Sequence, residues 1–285
     1  MKNYFLISLL LLTGCMDFLS TDTKGADGMS AAALLLLQPY VPAKPCSSYS
    51  PQFPAGVAGA DSVVSAPASN GSGNSDSYCA VNGVRGGGNL QGSLDVFTLD
   101  ITGSGASITL RWTGKKIFNG AGADFIVYEN PFFISGSATN VYIEPVIVEV
   151  SQDNTVWCGF GPSYTLPGFS SDPANWTGFA ALSPVRYNQE SNPGSLAYLF
   201  TSGSTGGGGD FFDLASVVSD AGCPAGLVTN IQDTNTGNAN RGFTYLRLTS
   251  ATARTNPGTG NPYPGNANSS GGGPDIDGAA ARYTY

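Results

Sequence analysis

Hydrophobic and polar residues alternate along three segments of the chain, and this alternation predicts β-strands. In ASITLRW (106–112), isoleucine, leucine and tryptophan are separated by polar residues, which is the period-two pattern of a strand with one buried face. VIVEV (146–150) and FTYLRLTS (243–250) follow the same pattern. DFIVYEN (124–130) is apolar on both faces at its middle, so we place it deeper in a sheet, where both faces are covered.

Weaker signals predict the elements that surround these strands. LDVFTLD offers a strand near Ser93, where we expect the ordered core to begin. LAYLFT (196–201) and AARYTY (280–285) are further strand candidates. Asp153-Asn154 lies between two apolar segments and predicts a hairpin turn there.

Helices are few in this sequence, and long segments rich in Gly, Pro and Asn connect the predicted strands. MSAAALLLL (29–37) is one short helix candidate. A second follows the glycine run 206–209, with Asp210 as its N-cap and Gly222 as its stop. We therefore predict an all-β fold, an antiparallel β-sandwich of jelly-roll type with one or two short helices and long loops.

The first fifteen residues predict export and a lipid anchor. Lys2 gives a basic n-region, residues 4–12 an apolar h-region and LTGC (12–15) a lipobox. The apolar run is too short for a spanning helix, and the alternative is an ordinary signal peptide with a chance cysteine. Acyl chains on Cys15 would hold the protein in the cell envelope, where we expect the outer membrane. The chain then comprises a lipoprotein signal peptide (1–14), a lipidated N-terminus with tether and short helix (15–45) and one sandwich domain (46–285).

Composition argues against a nucleic-acid partner. The chain has 12 Lys plus Arg against 20 Asp plus Glu, a formal net charge of −8. Nucleic-acid phosphates need clustered basic residues, and anionic lipid surfaces attract the same residues. We therefore expect membrane attachment through N-terminal acyl chains and no binding of nucleic acid.

Four cysteines remain after Cys15, and an even number in an exported chain predicts two disulfides. Three pairings are open, of which we favour Cys46–Cys79 and Cys158–Cys223, and four free thiols are the alternative. The chain has no histidine and no Cys-x-x-Cys pair, which argues against a structural zinc site.

Several motifs follow one another in a recognisable order along the chain. Between Ser93 and Ala280 the chain carries, in this order, SLDVFTL, ASITLRW, IFNGAGADFIVYEN, EPVIVEVSQDNTVW, GGDFFDLA, FTYLRLT and PDIDGAA. This order resembles cell-surface lipoproteins of unassigned function that are known chiefly from leptospires, and residues 119–130 are its most specific part. VEVSQDNTVW with the later YLRLT also looks like the galactose-binding, or discoidin-like, sandwich. These resemblances imply a lipid-anchored sandwich and supply no catalytic residues.

Carboxylates are the abundant side-chain groups that are capable of catalysis or metal binding. Catalysis by Ser-His-Asp or Cys-His is excluded because there is no His to act as base. Carboxylates and amides in turns suit Ca²⁺, which takes about six to eight oxygen ligands, and paired carboxylates suit glycoside hydrolysis. The alternative is that they cap turns. The calcium candidates are Asn119, Asp124, Glu129, Asn130, Asp275 and Asp277.

Aromatic residues in the Gly-, Pro- and Asn-rich loops are the candidates for ligand contact, because a rigid ring can stack on a sugar or fill a partner's pocket. The alternative is that these rings cover the ends of the sandwich. The candidates are Phe169, Trp176, Phe179, Tyr187 and Tyr263.

The sequence thus predicts a non-catalytic binding or adhesion module, exported and held at the membrane, with a carbohydrate or a host or envelope protein as ligand. Ca²⁺ is the one cofactor that the residues suggest. Two alternatives stay open, namely a carboxylate-dependent hydrolase acting on polysaccharide and an envelope structural protein.

Overall fold

The structure is a computed structural model that describes residues 46–66, 74–219, 222–267 and 272–285. The predicted signal peptide, Cys15, the tether and the first helix candidate lie outside the described residues. Every strand pair in the described part of the chain is antiparallel.

In the part of the chain that the structure describes, the strands are short and the helices are few, as the sequence predicts. The strands are β1 (Ala58–Gly59), β2 (Ser62–Ser65), β3 (Phe97–Thr98), β4 (Ser107–Arg111), β5 (Phe125–Tyr128), β6 (Phe132–Phe133), β7 (Val141–Tyr142), β8 (Val146–Ser151), β9 (Cys158–Gly159), β10 (Phe179–Ala180), β11 (Asp210–Phe212), β12 (Tyr245–Ser250), β13 (Asp275–Ile276) and β14 (Gly278–Ala281). The α-helices among the described residues are α1 (Leu196–Leu199) and α2 (Ala225–Gln232).

The three alternating segments form the centre of a six-stranded sheet with the order β10-β8-β12-β4-β2, in which β9 also pairs with β8. Leu246 lies opposite both Leu110 and Val150, so apolar side chains stand in register across three strands. Beyond Ser151 the chain turns through Asn154, whose φ is 63°, and returns as β9. The predicted hairpin at this position is therefore confirmed.

The second sheet has the order β1-β14-β5-β11. All four residues of β5 are buried, which confirms that this segment lies inside a sheet. Phe125 and Val127 face the core between the sheets, whereas Ile126 and Tyr128 pack against a smaller apolar cluster on the outer side. Two minor pairs, β3 with β13 and β6 with β7, complete the described strands.

The core lies between these two sheets and confirms the antiparallel β-sandwich. The ring of Phe125 stacks on that of Phe212 at 5.2 Å between centroids and meets the edge of Phe243 at 5.3 Å. Phe243 in turn contacts Trp112, from the end of β4, at 5.8 Å. Burial of these side chains supplies the main driving force for joining the layers.

Two local predictions were wrong, the first because a local helix cap was overlooked and the second because long-range pairing decides the conformation of a short segment. LAYLFT is the helix α1 rather than a strand, and Ser195 caps it by accepting a hydrogen bond from the Tyr198 amide. The segment from Asp210 is the strand β11, since it pairs with β5, and Asp210 is not a helix cap. The longer helix α2 instead begins after Cys223, beyond the predicted stop at Gly222.

The boundaries of the core also differ from the prediction. Ordered structure begins well before Ser93, because β1 lies at the edge of the four-stranded sheet and β2 at the edge of the six-stranded one. The strand predicted at 280–285 begins and ends earlier, as β14. β1 and β2 are only two and four residues long, so the sequence pattern in 58–65 is weak.

Both favoured disulfides are confirmed. Cys46 is bonded to Cys79 with Cα atoms 4.9 Å apart, and Cys158 to Cys223 with Cα atoms 5.0 Å apart. The first bond attaches the beginning of the described chain to the loop before β3. The second attaches β9 to the residue that precedes Pro224, the N-cap of α2.

Candidate functional site

The strand β5 separates the six calcium candidates into two groups. Asp124 precedes the strand and Glu129 follows it, so the rise of a strand places them roughly 16 Å apart. Asn119 belongs to the Asp124 end, because the Gly120 amide, next to it in the chain, donates to Asp124. Asn130, Asp275 and Asp277 belong to the Glu129 end, so one ion cannot bind all six residues.

Asp124 bonds the backbone of its own fold. Its Oδ1 accepts from the Gly120 amide at 2.8 Å and its Oδ2 from the Leu214 amide at 2.7 Å. Burial raises the pKa of Asp124 to about 7. Asn119 donates its Nδ2 to the Gln232 carbonyl at 2.6 Å. These two side chains therefore fasten loops at this end of β5.

Asp277 has a similar role at the other end of β5. Both of its oxygens lie 3.2 Å from the Arg85 amide, and the side chain is completely buried. Burial raises the pKa of Asp277 well above its ordinary value. The Arg85 guanidinium is engaged elsewhere, in an ion pair with Asp95 at 2.5 Å.

Glu129, Asn130, Glu144 and Asp275 form a group that we call the acidic cluster. Glu129 Oε1 accepts from the Asp275 amide at 2.9 Å, and Asn130 Nδ2 donates to Asp275 Oδ2 at 3.3 Å. Burial raises the pKa of Glu129 well above its ordinary value, and the charges of Glu144 and Asp275 raise it further. Glu144 comes from the β7–β8 connection, and sequence reasoning missed it because no local motif links it to β5.

A cavity of about 260 Å³ adjoins the acidic cluster. Glu144 and Pro274, the neighbour of Asp275, form part of its wall. The rest of the wall is mixed, since it includes the apolar Ile101 and the hydroxyl-bearing Ser250 and Thr252. The cavity thus brings solvent to one side of the cluster while Glu129 stays buried.

A second concave region lies around Phe133, and we call it the Phe133 groove. It consists of two depressions, of about 410 and 620 Å³, whose walls share Phe133. Arg186 braces the region by donating its Nε to the Gly206 carbonyl at 2.7 Å and Nη1 to Asn89 Oδ1 at 3.2 Å. The other lining residues include Asn89, Leu90, Gln91, Leu182, Ser202 and Phe211. Its residues come from distant segments, so no local sequence motif points to it.

The predicted ligand-contact aromatics are packed inside the protein rather than presented to solvent, four of them in one cluster and Tyr187 in another. Trp176, Phe179 and Tyr263 are each 3% exposed and Tyr187 is 1% exposed, whereas Phe169 is half-buried. The Trp176 ring meets the edge of Phe179 at 5.2 Å, and Phe179 meets Tyr263 at 5.1 Å. A sugar cannot stack on these buried rings unless the surrounding loops move.

The chain matches none of the protein-family models, curated protein sequences and solved structures with which it was compared. In the described residues, no helix has the length and apolar character needed to cross a membrane. The interpretation of function therefore depends on the chain's own sites.

Proposed function

We propose that this protein is an exported, lipid-anchored binding module of the outer membrane that binds a carbohydrate or an envelope or host protein in the Phe133 groove. The lipobox that ends at Cys15 supports the anchor. The two disulfides of the domain support export, because such bonds persist in oxidising compartments.

The observation that carries the binding role is the composition of the Phe133 groove. Phe133 and Phe211 are half-buried, so each ring keeps one part accessible. Leu90 is 68% exposed at one end of the groove. Serine hydroxyls and the amide side chains of Asn89 and Gln91 lie beside these apolar surfaces. Aromatic faces with neighbouring hydroxyl and amide groups suit the apolar faces and hydroxyls of a sugar, and equally a peptide.

A binding role is favoured over hydrolysis because no acidic residue is among the described residues that line the groove. A typical glycosidase places two carboxyl groups on either side of the scissile bond. The buried Asp124 and Asp277 are instead bonded to backbone amides, away from the groove. Polysaccharide hydrolysis and a purely structural envelope role remain the alternatives.

Binding of the purified mature protein in detergent to a glycan array and to envelope extracts tests this proposal. Phe133→Ala should weaken any interaction found by about tenfold or more, because it removes a ring at the centre of the groove. Tyr78→Ala is the matched control, since Tyr78 is 56% exposed and does not line the groove. Equal binding by the Phe133→Ala variant and the wild type would place the binding surface elsewhere. Turnover of chromogenic glycosides by the wild type would favour the hydrolase instead.

Anchoring is tested separately in cells that are fed radiolabelled palmitate. The wild type should be labelled, and Cys15→Ala should abolish the label while a variant without Cys158 and Cys223 keeps it. Protease shaving of intact cells would then show whether the domain faces the outside. An unlabelled wild-type protein would refute the anchor and leave the groove assay unaffected.

A further inference from the structure

Four basic side chains lie together where the segment after β14 meets the β4–β5 connection. Lys115 and Lys116 belong to that connection, Arg241 to the α2–β12 connection and Arg282 to the segment after β14. Within residues 46–66, 74–219, 222–267 and 272–285, none of the four forms an ion pair. They make a positive region on a chain whose formal net charge is −8.

Aromatic rings lie between these charges. The Cζ atom of Arg241 is 3.9 Å from the centroid of the Phe118 ring and 4.6 Å from that of Tyr285. The Cζ atom of Arg282 is 4.8 Å from the Tyr283 centroid, and the Tyr283 ring contacts Phe118 at 5.8 Å between centroids. Cation–π contacts hold the guanidinium groups in place but do not neutralise their charge. We call the four basic residues and these three rings the Tyr283 patch.

Both guanidinium groups keep a donor without a hydrogen-bond partner. Arg241 is 4% exposed, and its buried Nε has no partner among the described residues; the same holds for the buried Nε of Arg282. The Arg241 charge acts on Asp233 and the Arg282 charge on Asp124, but neither carboxylate forms an ion pair in the described part of the chain. The patch therefore holds positive charge that its own surroundings compensate only in part, and such charge favours an anionic ligand.

The tyrosines of the patch bond their hydroxyls to the protein. Tyr283 donates to the Ala121 carbonyl at 3.1 Å, and Tyr285 donates to the Ala239 carbonyl at 3.3 Å. The Lys116 ammonium donates to the same Ala239 carbonyl at 2.7 Å, so it lies beside the Tyr285 side chain. Tyr285 is 46% exposed. Because its hydroxyl is engaged, the surface that it offers to a ligand is largely that of the ring.

A ligand for this patch needs negative groups and an apolar face side by side. The sugar rings of an acidic polysaccharide meet this need, because their C–H faces pack on aromatic rings while sulfate or carboxylate groups contact the cations. A flat anionic membrane fits less well, since it would also approach the acidic residues beyond the patch on a chain of net charge −8. An acidic peptide supplies the charges without the apolar ring faces.

We propose that the Tyr283 patch is a binding surface for an acidic polysaccharide. A sugar ring packs on the exposed part of Tyr285, and the lysines and arginines around it contact the anionic groups of the same chain. No residue of the patch is among the described residues that line the Phe133 groove. The proposal therefore does not depend on the groove or on its ligand.

Calorimetric titration of the purified mature protein with dextran sulfate and with uncharged dextran tests the surface, because the two polymers share a backbone and differ in charge. We expect saturable binding of dextran sulfate at about 0.1 M NaCl, a large loss of affinity at about 1 M NaCl, where salt screens the charges, and no binding of dextran. The double variant Lys115→Gln/Lys116→Gln should weaken binding by about tenfold or more, since two cations leave the contact. Tyr285→Ala should weaken it by about fivefold through the lost ring contact.

Arg111→Gln/Arg254→Gln is the matched control, because it removes the same number of positive charges at half-buried residues outside the patch. This variant should bind dextran sulfate like the wild type, which excludes an effect of net charge alone. If Tyr285→Ala does not fold, the lysine variant still decides the question. The proposal is overturned if dextran sulfate does not bind, if dextran binds equally well, or if the two double variants lose affinity equally. Tighter binding of poly-glutamate, of anionic lipid vesicles or of a single-stranded oligonucleotide would overturn it as well.

Discussion

Cys158 in β9 is disulfide-bonded to Cys223, which lies 65 residues further along the chain and directly before Pro224, the N-cap of α2. The bond fastens the helix to the edge of the six-stranded sheet. Replacing both cysteines by alanine should lower the free energy of unfolding by about 2–4 kcal/mol, because the unfolded chain regains the freedom of that loop. Urea denaturation under oxidising conditions measures this loss.

The Cys46–Cys79 bond closes only 33 residues and serves as the comparison. Removing it should lower the free energy of unfolding by about 0.6 kcal/mol less than removing Cys158–Cys223, because the loop it closes is about half as long. Both double variants should still fold, since the core lies between the sheets. A Cys158/Cys223 variant as stable as the wild type would contradict the expectation.

Phe125 is the side chain that links the two layers most directly, because its ring contacts both Phe212 in its own sheet and Phe243 at the entrance to β12. Phe125→Ala should lower the free energy of unfolding by about 3–5 kcal/mol through lost burial and the cavity that remains. Leu94→Ala provides the control, since Leu94 is 92% exposed and its truncation should change stability by less than about 0.5 kcal/mol. Chemical denaturation of the two variants measures the difference.

Two glycines with the same backbone conformation differ in the space around them. Gly114 and Gly242 have φ of 68° and 69°, but a Cβ at Gly114 meets no atom within 4 Å, whereas one at Gly242 would lie 1.9 Å from the Ile117 carbonyl oxygen. Gly114→Ala should cost about 1–2 kcal/mol, the strain of a left-handed alanine. Gly242→Ala should cost clearly more, because the backbone must also move. Equal melting temperatures for the two variants would show that this close approach is absent.

Stability should fall as the pH rises from about 4 to about 7. Burial raises the pKa of Asp124 to about 7 from an ordinary 3.8, so the folded state holds this proton more tightly than the unfolded chain does. Its stabilising contribution is therefore complete below pH 3.8 and is lost as the pH rises through the folded pKa. Asp124→Asn should flatten the slope of unfolding free energy against pH by up to about 1.4 kcal/mol per pH unit.

Asp153 is the control for this pH dependence. Hydrogen bonds from the Thr155 side chain and from the Val156 and Thr155 amides lower the pKa of Asp153 below its ordinary value. The group is ionised in both folded and unfolded states between pH 5 and 7, about one unit or more above the ordinary value. Between these pH values, Asp153→Asn should change the free energy of unfolding without changing its slope against pH. Denaturant titrations at several pH values compare the three proteins.

Sequence reasoning succeeded where the hydrophobic pattern follows directly from which side chains are buried. Alternation in 106–112, 146–150 and 243–250 reports one buried face directly, and these segments are the adjacent strands β4, β8 and β12. The apolar run of β5 reports two buried faces, as observed. The even number of cysteines predicted two disulfides, and the structure confirms the favoured one of the three open pairings.

The failures come from segments whose state is decided by distant residues. β11 has three residues and is a strand because β5 pairs with it. The acidic cluster unites Glu129 with Glu144 and Asp275 through the β3–β13 and β7–β8 segments. Because these residues are far apart in the chain, no local sequence motif shows that they lie close together. In LAYLFT the available signal was Ser195, whose position before the apolar run is that of an N-cap.

The position of β14 in its sheet constrains the order of assembly. β14 pairs with β1 on one side and with β5 on the other, although well over a hundred residues separate it from each of them in the chain. The four-stranded layer therefore stays in two unjoined pieces until residues 278–281 are available. Under the proposed export, with the N-terminus crossing the membrane first, the domain cannot close until residues 278–281 have emerged, and chaperones beyond the membrane have a long interval in which to act.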